Sequence, residues 1–357
     1  MEILYYTYLF ILGTLFGSFS SVIISRLKEN KSGIISGRSE CPKCHHKLGI
    51  FDLFPILSYL STCGKCRYCK TKIPLMYPLL EITLGIFFII IIYFLIDIDL
   101  IFTLNKLEIL KLIFYLSIGF FSFIFVIYDL KYLEIPDSIL AILIFLTLIA
   151  LGIQSFFPNF EIIKTLPGFN LEISFFENTL IFISTTISIG LLYLIMLKGF
   201  SEIYDILIIL SIVAIICTIK FYFGINLEKT AIGSGLIGVI TIFIFFFLQI
   251  LVSNGNWMGG GDLRIGIFMG LIAGISFSFP ALMITYFSGS IIGIIIIILS
   301  KIKQNIIKKG NIIQRIKSIF KESELNTQIP FGPFLAIGIF GILFFQNEIS
   351  NLINNYL

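Results

Sequence analysis

The 357-residue chain contains a succession of apolar runs, most of them long enough to cross a lipid bilayer. A spanning helix needs roughly 20 mostly apolar residues. Runs of about that length, two of them shorter or interrupted by a charge, lie at 3–25, 77–96, 112–128, 138–160, 178–197, 206–223, 230–261, 265–300 and 325–347. Only 13% of the residues are charged, against about a quarter in soluble proteins, which excludes an ordinary soluble enzyme. The sequence therefore predicts an all-α, polytopic transmembrane helical bundle.

Basic residues concentrate in two of the segments that connect these runs. Ten Lys or Arg residues lie between Arg26 and Lys72, and seven lie between Lys301 and Lys321. Loops rich in Lys and Arg stay on the cytoplasmic side of a membrane. The segments 27–76 and 301–327 are therefore predicted to face the cytosol. Topology explains this charge more simply than nucleic-acid binding does, so no nucleic-acid partner is expected.

Applied along the whole chain, the charge rule predicts about 8–10 spans. The count reaches ten when the run 265–300 is split into two helices at Pro280. The first run is preceded by Glu2 and by no basic residue, so it predicts a retained helix rather than a cleavable signal peptide. The predicted domains are a first transmembrane helix at 1–26, a cytosolic loop domain at 27–76 and a polytopic membrane domain at 77–357.

Cysteine spacing in the first loop predicts a metal site. Four of the six cysteines form two CxxC pairs, Cys41 with Cys44 and Cys66 with Cys69. Two such turns present four thiolates to one ion, which is a tetrahedral set that Zn²⁺ prefers in structural sites. A reducing cytosolic loop also disfavours disulfides. Cys63 and His46 are alternative ligands, whereas Cys217 lies in an apolar run and is interpreted as a packing residue.

Two acidic residues, Asp129 and Asp262, stand at predicted cytosolic ends of spans. Ionisable groups in such places are costly and usually functional. Two carboxylates brought together can share one proton, so that one activates a water as a base and the other acts as an acid. Glycines 259–261 precede Asp262 and would let the backbone approach a substrate closely. This pattern predicts aspartic-protease chemistry, with a plain loop and a helix cap as the simpler alternatives.

Six short motifs follow one another along the chain. They are Gly17-Ser18-Phe19 with Arg26-Leu27, the two CxxC pairs, Tyr77-Pro78 with Glu81, Asp129 with Pro136-Asp137, Gly259-Gly260-Gly261-Asp262, and Pro330-Phe331-Gly332-Pro333-Phe334. In this order they resemble the motifs of the type IV prepilin peptidases, bifunctional leader peptidases and N-methyltransferases. The resemblance covers most of the chain except about 150–250.

The resemblance implies a multi-pass enzyme of the bacterial cytoplasmic (inner) membrane with its active site facing the cytosol. It implies that Asp129 and Asp262 are catalytic and cleave prepilins and pseudopilins, the implied partners beside the lipid bilayer. It further implies methylation of the new N-terminal residue with S-adenosylmethionine as methyl donor. Supporting roles carry over to Asp137, Gly259, Gly261, Arg264 and Glu81, the last near the methyl-transfer region.

The chain departs from the family pattern in three places. Ser21 stands where the family usually has Asn, and Arg264 replaces a common Lys while keeping its charge. The chain is also longer than typical members, and 178–223 is interpreted as an inserted helix pair, whose even number of spans preserves sidedness. The alternatives are a peptidase without methyl transfer and a zinc-binding membrane transporter or scaffold. A transporter would place its acidic residues at mid-helix depth.

Overall fold

The computed structural model of the protein describes residues 2–29, 39–41, 43–157, 159–166, 175–198, 229–308 and 329–356. Within these residues every regular element is a helix, apart from two isolated β-bridges in the Cys-rich loop, Glu40 with Lys47 and Lys65 with Lys72. The predicted all-α membrane bundle is therefore confirmed.

The helices are α1 Glu2–Lys28, α2 Leu57–Ser61, α3 Met76–Leu95, α4 Ile98–Phe102, α5 Lys106–Tyr132, α6 Asp137–Phe156, α7 Phe175–Lys198, α8 Ala231–Ser253, α9 Gly260–Lys308, α10 Gly332–Phe344 and α11 Gln346–Tyr356, with a short 3-10 helix at Ile50–Asp52. Six of those described, α1, α3, α5, α6, α8 and α9, are long and apolar enough to cross a membrane. The pair α10 and α11, bent by 77°, is a seventh candidate.

The predicted count of 8–10 spans includes more elements than these seven. It counts α7, whose apolar part is short, and it counts α9 twice. It also includes a helix at about 205–223, which lies outside the described residues. The higher count therefore stays a prediction, while the multi-pass character of the chain is established.

Local polar and left-handed residues set the ends of the spanning helices. The Asn105 side chain accepts the N–H of Leu107 at the start of α5, and Thr230 caps α8 in the same way. Side-chain oxygens at these positions satisfy backbone donors that the first helical turn leaves free. Leu133 and Asn254, both with positive φ, end α5 and α8. The chain therefore turns sharply just after Asp129 and shortly before Asp262.

Helix α9 turns back on itself at Gly274, where φ is 60° and ψ is −170°. We call the part before this residue the first arm and the part after it the second arm. Gly266 in the first arm packs against Phe246 of α8, and Tyr286 in the second arm bonds Gln249 of the same helix. A straight helix would separate residues 266 and 286 by about 30 Å. Since their partners are less than one turn apart, the two arms are antiparallel.

The predicted division of the run 265–300 at Pro280 is therefore wrong. The run divides at Gly274, and Pro280 lies inside the helical second arm. The positive φ and the close approach of Leu166 both require glycine at this turn. The Thr165 hydroxyl donates to the carbonyl of Ile272, and the hydroxyl of Ser234 accepts the N–H of Ile275. These side chains satisfy backbone groups that the broken helix leaves free, as membrane depth demands.

Close packing joins α1 to α3 through small residues. A Cβ added at Gly13 would lie 2.7 Å from Cα of Gly85, and one added at Gly17 would lie 2.6 Å from Cα of Glu81. Glycines four residues apart let two membrane helices approach closely. Ser18 adds a hydrogen bond to the Glu81 side chain. The first motif of the sequence thus forms a helix–helix contact.

The Cys-rich loop lies at one end of the bundle, which we call the loop end. The N–H of Ile56 in the loop donates to Oε2 of Glu81, near the start of α3, at 2.7 Å. Lys28, the last residue of α1, pairs with Glu134 at 2.8 Å, just after α5. The end of α5 and the start of α6 therefore share the loop end with the cysteines.

Candidate functional site

The four cysteines of the CxxC pairs come together in the structure. Their sulfur atoms all lie within 4.8 Å of one another, and the sulfurs of Cys41 and Cys69 are 3.8 Å apart. Thiolates held tetrahedrally about 2.3 Å from one zinc ion lie roughly 3.8 Å apart. Cys63 is exposed and outside this cluster, and the ring of His46 packs on Tyr68 at 3.6 Å. The cluster therefore has the composition and spacing of a zinc site.

The two CxxC pairs occupy two copies of the same turn, offset by 25 residues. The N–H groups of Cys41 and Cys66 each donate to the carbonyl five residues later, at 3.0 and 2.8 Å. The residue after the second cysteine has positive φ in both copies, 55° at His45 and 60° at Lys70. The repeated hydrogen bond and positive φ are properties of the backbone, and the residue types at these positions do not predict them.

One thiol of the cluster, that of Cys69, has a polar neighbour that favours its thiolate form. The side chain of Thr71 lies 3.1 Å from the sulfur of Cys69, and this bond, with a second from the Thr71 backbone, lowers the pKa of that thiol to about 6. The thiolate is the form that binds metal, so these two bonds favour metal binding by Cys69.

Asp129 lies at the end of α5 and is only 5% exposed. Its Oδ2 accepts the N–H of Gly332, the first residue of α10, at 2.8 Å across 203 residues of sequence. A Cβ at this glycine would stand 2.6 Å from the same oxygen. Glycine is therefore needed there, which gives the motif around Gly332 a physical reason.

Asp262 lies in the first turn of α9 and is 8% exposed. Its Oδ2 accepts the N–H of Gly259 at 3.3 Å. Gly261 packs so closely on Ile135 that an added Cβ would come within 2.7 Å of it. Asp129 lies within electrostatic range of Asp262. Two buried carboxylates from distant parts of the sequence thus lie at the same end of the bundle, the loop end.

The other predicted supporting residues have defined partners. Arg264 forms an ion pair with Asp137, which joins α9 to the start of α6. The hydroxyl of Tyr193 on α7 donates to the backbone carbonyl of Asp137 at 2.7 Å. Glu81 instead bonds Ser18 of α1 and the loop backbone. Asp137 and Arg264 therefore link the helix that carries Asp262 to the start of α6, whereas Glu81 links the loop to the bundle.

Sequence reasoning missed one aromatic residue beside the pair. Tyr286 in the second arm lies within electrostatic range of Asp262 and donates to Gln249 at 2.7 Å. Its ring packs on Phe331, next to the glycine that binds Asp129. A polar residue within an apolar run is a signal of function in membrane helices, and both Gln249 and Tyr286 carry that signal.

Fold and site together define a multi-pass helical membrane protein with a buried pair of carboxylates and a cluster of four cysteines at one end. Residues 11–95 match the family known as the Bacterial Peptidase A24 N-terminal domain. This segment contains most of α1, the Cys-rich loop and α3. The predicted resemblance to the type IV prepilin peptidases is thereby confirmed for this part of the chain.

Several relatives carry the name prepilin leader peptidase/N-methyltransferase. The relative from Myxococcus xanthus is 40% identical over 85 residues, which cover 24% of this chain and 25% of the relative. The Vibrio cholerae relative is 43% identical over 97 residues, covering 25% and 37%, and the Bacillus subtilis relative is 41% identical over 80, covering 22% and 32%. The matches thus span about a quarter to just over a third of these relatives. No solved structure matches the chain.

Proposed function

We propose that the protein is a type IV prepilin peptidase that cleaves the leader peptides of prepilins and pseudopilins. The observation that carries this proposal is that Asp129 and Asp262, both buried, lie within electrostatic range of each other at the end of the bundle that holds the Cys-rich loop. The match of the N-terminal segment and the names of its relatives support it.

In the proposed reaction the two carboxylates share one proton. The ionised member takes a proton from water, whose oxygen attacks the carbonyl carbon of the scissile peptide bond. The protonated member donates to the carbonyl oxygen as negative charge develops there. The intermediate then collapses and the C–N bond breaks: the leaving nitrogen takes the proton that the first carboxyl received from water, and the second carboxylate takes back the proton of the intermediate's hydroxyl group. Burial favours this arrangement, because like charges in a poorly hydrated site cannot both stay ionised.

The proposed site faces the cytosol of a bacterium with the protein in its inner membrane. The loop end carries the segment with ten basic residues between Arg26 and Lys72, and such segments stay on the cytoplasmic side. Prepilins would therefore be cut on the side of the membrane where they are made.

We also propose that the four-cysteine cluster binds one structural zinc ion. Four thiolates would fill the tetrahedral coordination of zinc and leave no position for a reacting water. The loop held in this way is proposed to take part in methyl transfer, with Glu81 as its link to the bundle. S-adenosylmethionine would supply the methyl group, which the new N-terminal amine receives as that nitrogen loses a proton.

A peptidase without methyl transfer is the second candidate. Ser21 stands where the resembled family usually has Asn, and its hydroxyl donates to the carbonyl of Ser18 within α1 at 2.7 Å. That side chain is therefore engaged by its own helix.

The mass of a co-expressed prepilin separates these possibilities. We expect loss of the leader and a gain of one CH₂ unit at the new N-terminus, read by mass spectrometry of the purified pilin. Cleavage without the added mass would favour the second candidate. An unprocessed prepilin in cells with membrane-inserted protein would contradict the proposed function.

Changing Gly332 to Ala should impair cleavage while leaving the fold intact. The new methyl group would push the carboxylate of Asp129 away from its backbone donor, since Cβ would lie 2.6 Å from Oδ2. A displacement of about 1 Å at a catalytic group can cost on the order of 10²-fold in rate. Gly289→Ala is the control, because its Cβ would meet the nearest atom at an ordinary 3.6 Å. Equal cleavage rates for both variants in detergent-solubilised protein would refute the positioning role of Gly332.

A further inference from the structure

The Cys-rich loop exposes large apolar side chains that nothing in the described structure covers. Phe51, Phe54, Leu57 and Leu60 are 78%, 49%, 60% and 64% exposed. We call these four residues the loop patch. Single exposed apolar residues are ordinary on soluble surfaces, whereas clustered ones mark contact with a protein or a membrane.

The depth of the loop patch relative to the bundle follows from one hydrogen bond. Ile56, in the middle of the patch, donates its N–H to Oε2 of Glu81 at 2.7 Å. Glu81 is five residues into α3, which begins at Met76, and five residues correspond to about 7.5 Å of helix. Helical side chains point back toward the N-terminus. The loop patch therefore lies level with the first turns of a membrane-spanning helix.

Helix α3, to which the loop is tied, also carries a surface that faces lipid. Along α3, exposed apolar side chains recur every three or four residues at Leu79, Ile82, Ile86 and Ile90. A stripe of this spacing on a spanning helix faces the hydrocarbon. Leu75, also exposed, stands at the loop end of the stripe. The apolar surface of the span is thus continued toward the loop by the residue that precedes it.

Charge favours a lipid surface as the occupant. The segment from Arg26 to Lys72 carries ten basic residues against three acidic ones, Glu29, Glu40 and Asp52. Juxtamembrane basic segments are attracted to anionic lipid headgroups, and amphipathic elements insert about 5–10 Å into the boundary between headgroups and acyl chains. We propose that the loop patch inserts into this boundary and seats the Cys-rich loop on an anionic membrane surface. This proposal is independent of the enzymatic activity.

Fluorescence quenching by brominated lipids tests the insertion directly. Trp257 is the only tryptophan of the chain, so Trp257→Phe provides a silent background. In that background Phe54→Trp places a reporter in the loop patch with little change of shape. The protein is reconstituted in nanodiscs of phosphatidylglycerol and phosphatidylcholine, with or without bromine on the acyl chains near the headgroup. Lys47→Trp, at an exposed basic position of the same loop, is the matched control.

We expect brominated lipid to quench the fluorescence of the tryptophan at position 54 strongly. We also expect acrylamide, a quencher dissolved in water, to reach that tryptophan poorly. The tryptophan at position 47 should show no quenching by the lipid and full quenching by acrylamide. Raising salt or removing phosphatidylglycerol should weaken the quenching. Equal behaviour of both positions, or full acrylamide access at position 54, would overturn the proposal. Quenching or protection that appears only after a pilin peptide is added would also overturn it, because the patch would then bind protein substrate rather than lipid.

Discussion

Replacing either Asp129 or Asp262 by Asn is expected to make prepilin cleavage nearly undetectable. General acid–base steps contribute on the order of 10²–10⁴-fold in rate, and each change removes one of the two groups that would handle the proton. Residues that act as a unit are non-additive, so the double variant should lose about as much as either single one. The measurement is the fraction of co-expressed prepilin that is shortened, with membrane insertion of each variant verified.

Asp99→Asn is a suitable control, because this exposed aspartate lies in α4, at the far end of α3 from the loop. Methyl transfer to a pre-cleaved pilin should survive both site changes, since it needs an amine and a methyl donor rather than activated water. The pH profile of the cleavage rate should be bell-shaped, and its two apparent pKa values should belong to the pair of carboxylates as a unit. Near-normal cleavage by Asp262→Asn would redirect the search for the water-activating group to Asp137 or Glu81.

The second large effect concerns the metal. Purified protein should contain about one zinc ion per chain, and the double change Cys41→Ser with Cys44→Ser should abolish it. Binding of a structural zinc ion provides on the order of 10–16 kcal/mol in small zinc domains, so the loop should also become sensitive to protease. Elemental analysis and limited proteolysis provide the two readouts.

The control for the zinc experiment is Cys63→Ser. This cysteine forms a third CxxC spacing with Cys66 but lies outside the sulfur cluster. Zinc content and protease resistance should therefore stay unchanged. Full zinc retention by the double variant, or loss of zinc in Cys63→Ser, would show that the four-cysteine assignment is wrong.

The helices and the four-cysteine set were accessible to sequence reasoning because hydropathy and spacing determine them locally. The apolar run 138–160 became α6, Asp137–Phe156, within a few residues at each end. The charge rule also placed Asp129 and Asp262 on one side of the membrane, and the structure brings both to the loop end. In each case the signal is a property of consecutive residues.

The features that sequence reasoning missed depend on contacts between distant segments. The N–H of Gly332 that binds Asp129 is a backbone group, so no side chain in the sequence predicts this hydrogen bond. Sequence reasoning places the break of helix α9 at its only proline, Pro280. The actual break, at Gly274, depends on Ser234 and Thr165 from other segments, whose hydroxyls bind the free backbone groups. Hydropathy treats Ser234, Gly274 and Gly332 as equivalent members of apolar runs, and it gives Thr165, between two runs, no distinct role.

The first arm of α9 has Asp262 near one end and the turn at Gly274 at the other. The arm from Asp262 to Gly274 is about 18 Å long, so a difference of roughly 3° in the angle of the arm at Gly274 corresponds to about 1 Å at the carboxylate. The hydroxyls of Ser234 and Thr165 bind the backbone on either side of that turn. The position of Asp262 is therefore set in part by the Gly274 turn, which side chains from two other segments hold at the far end of this arm.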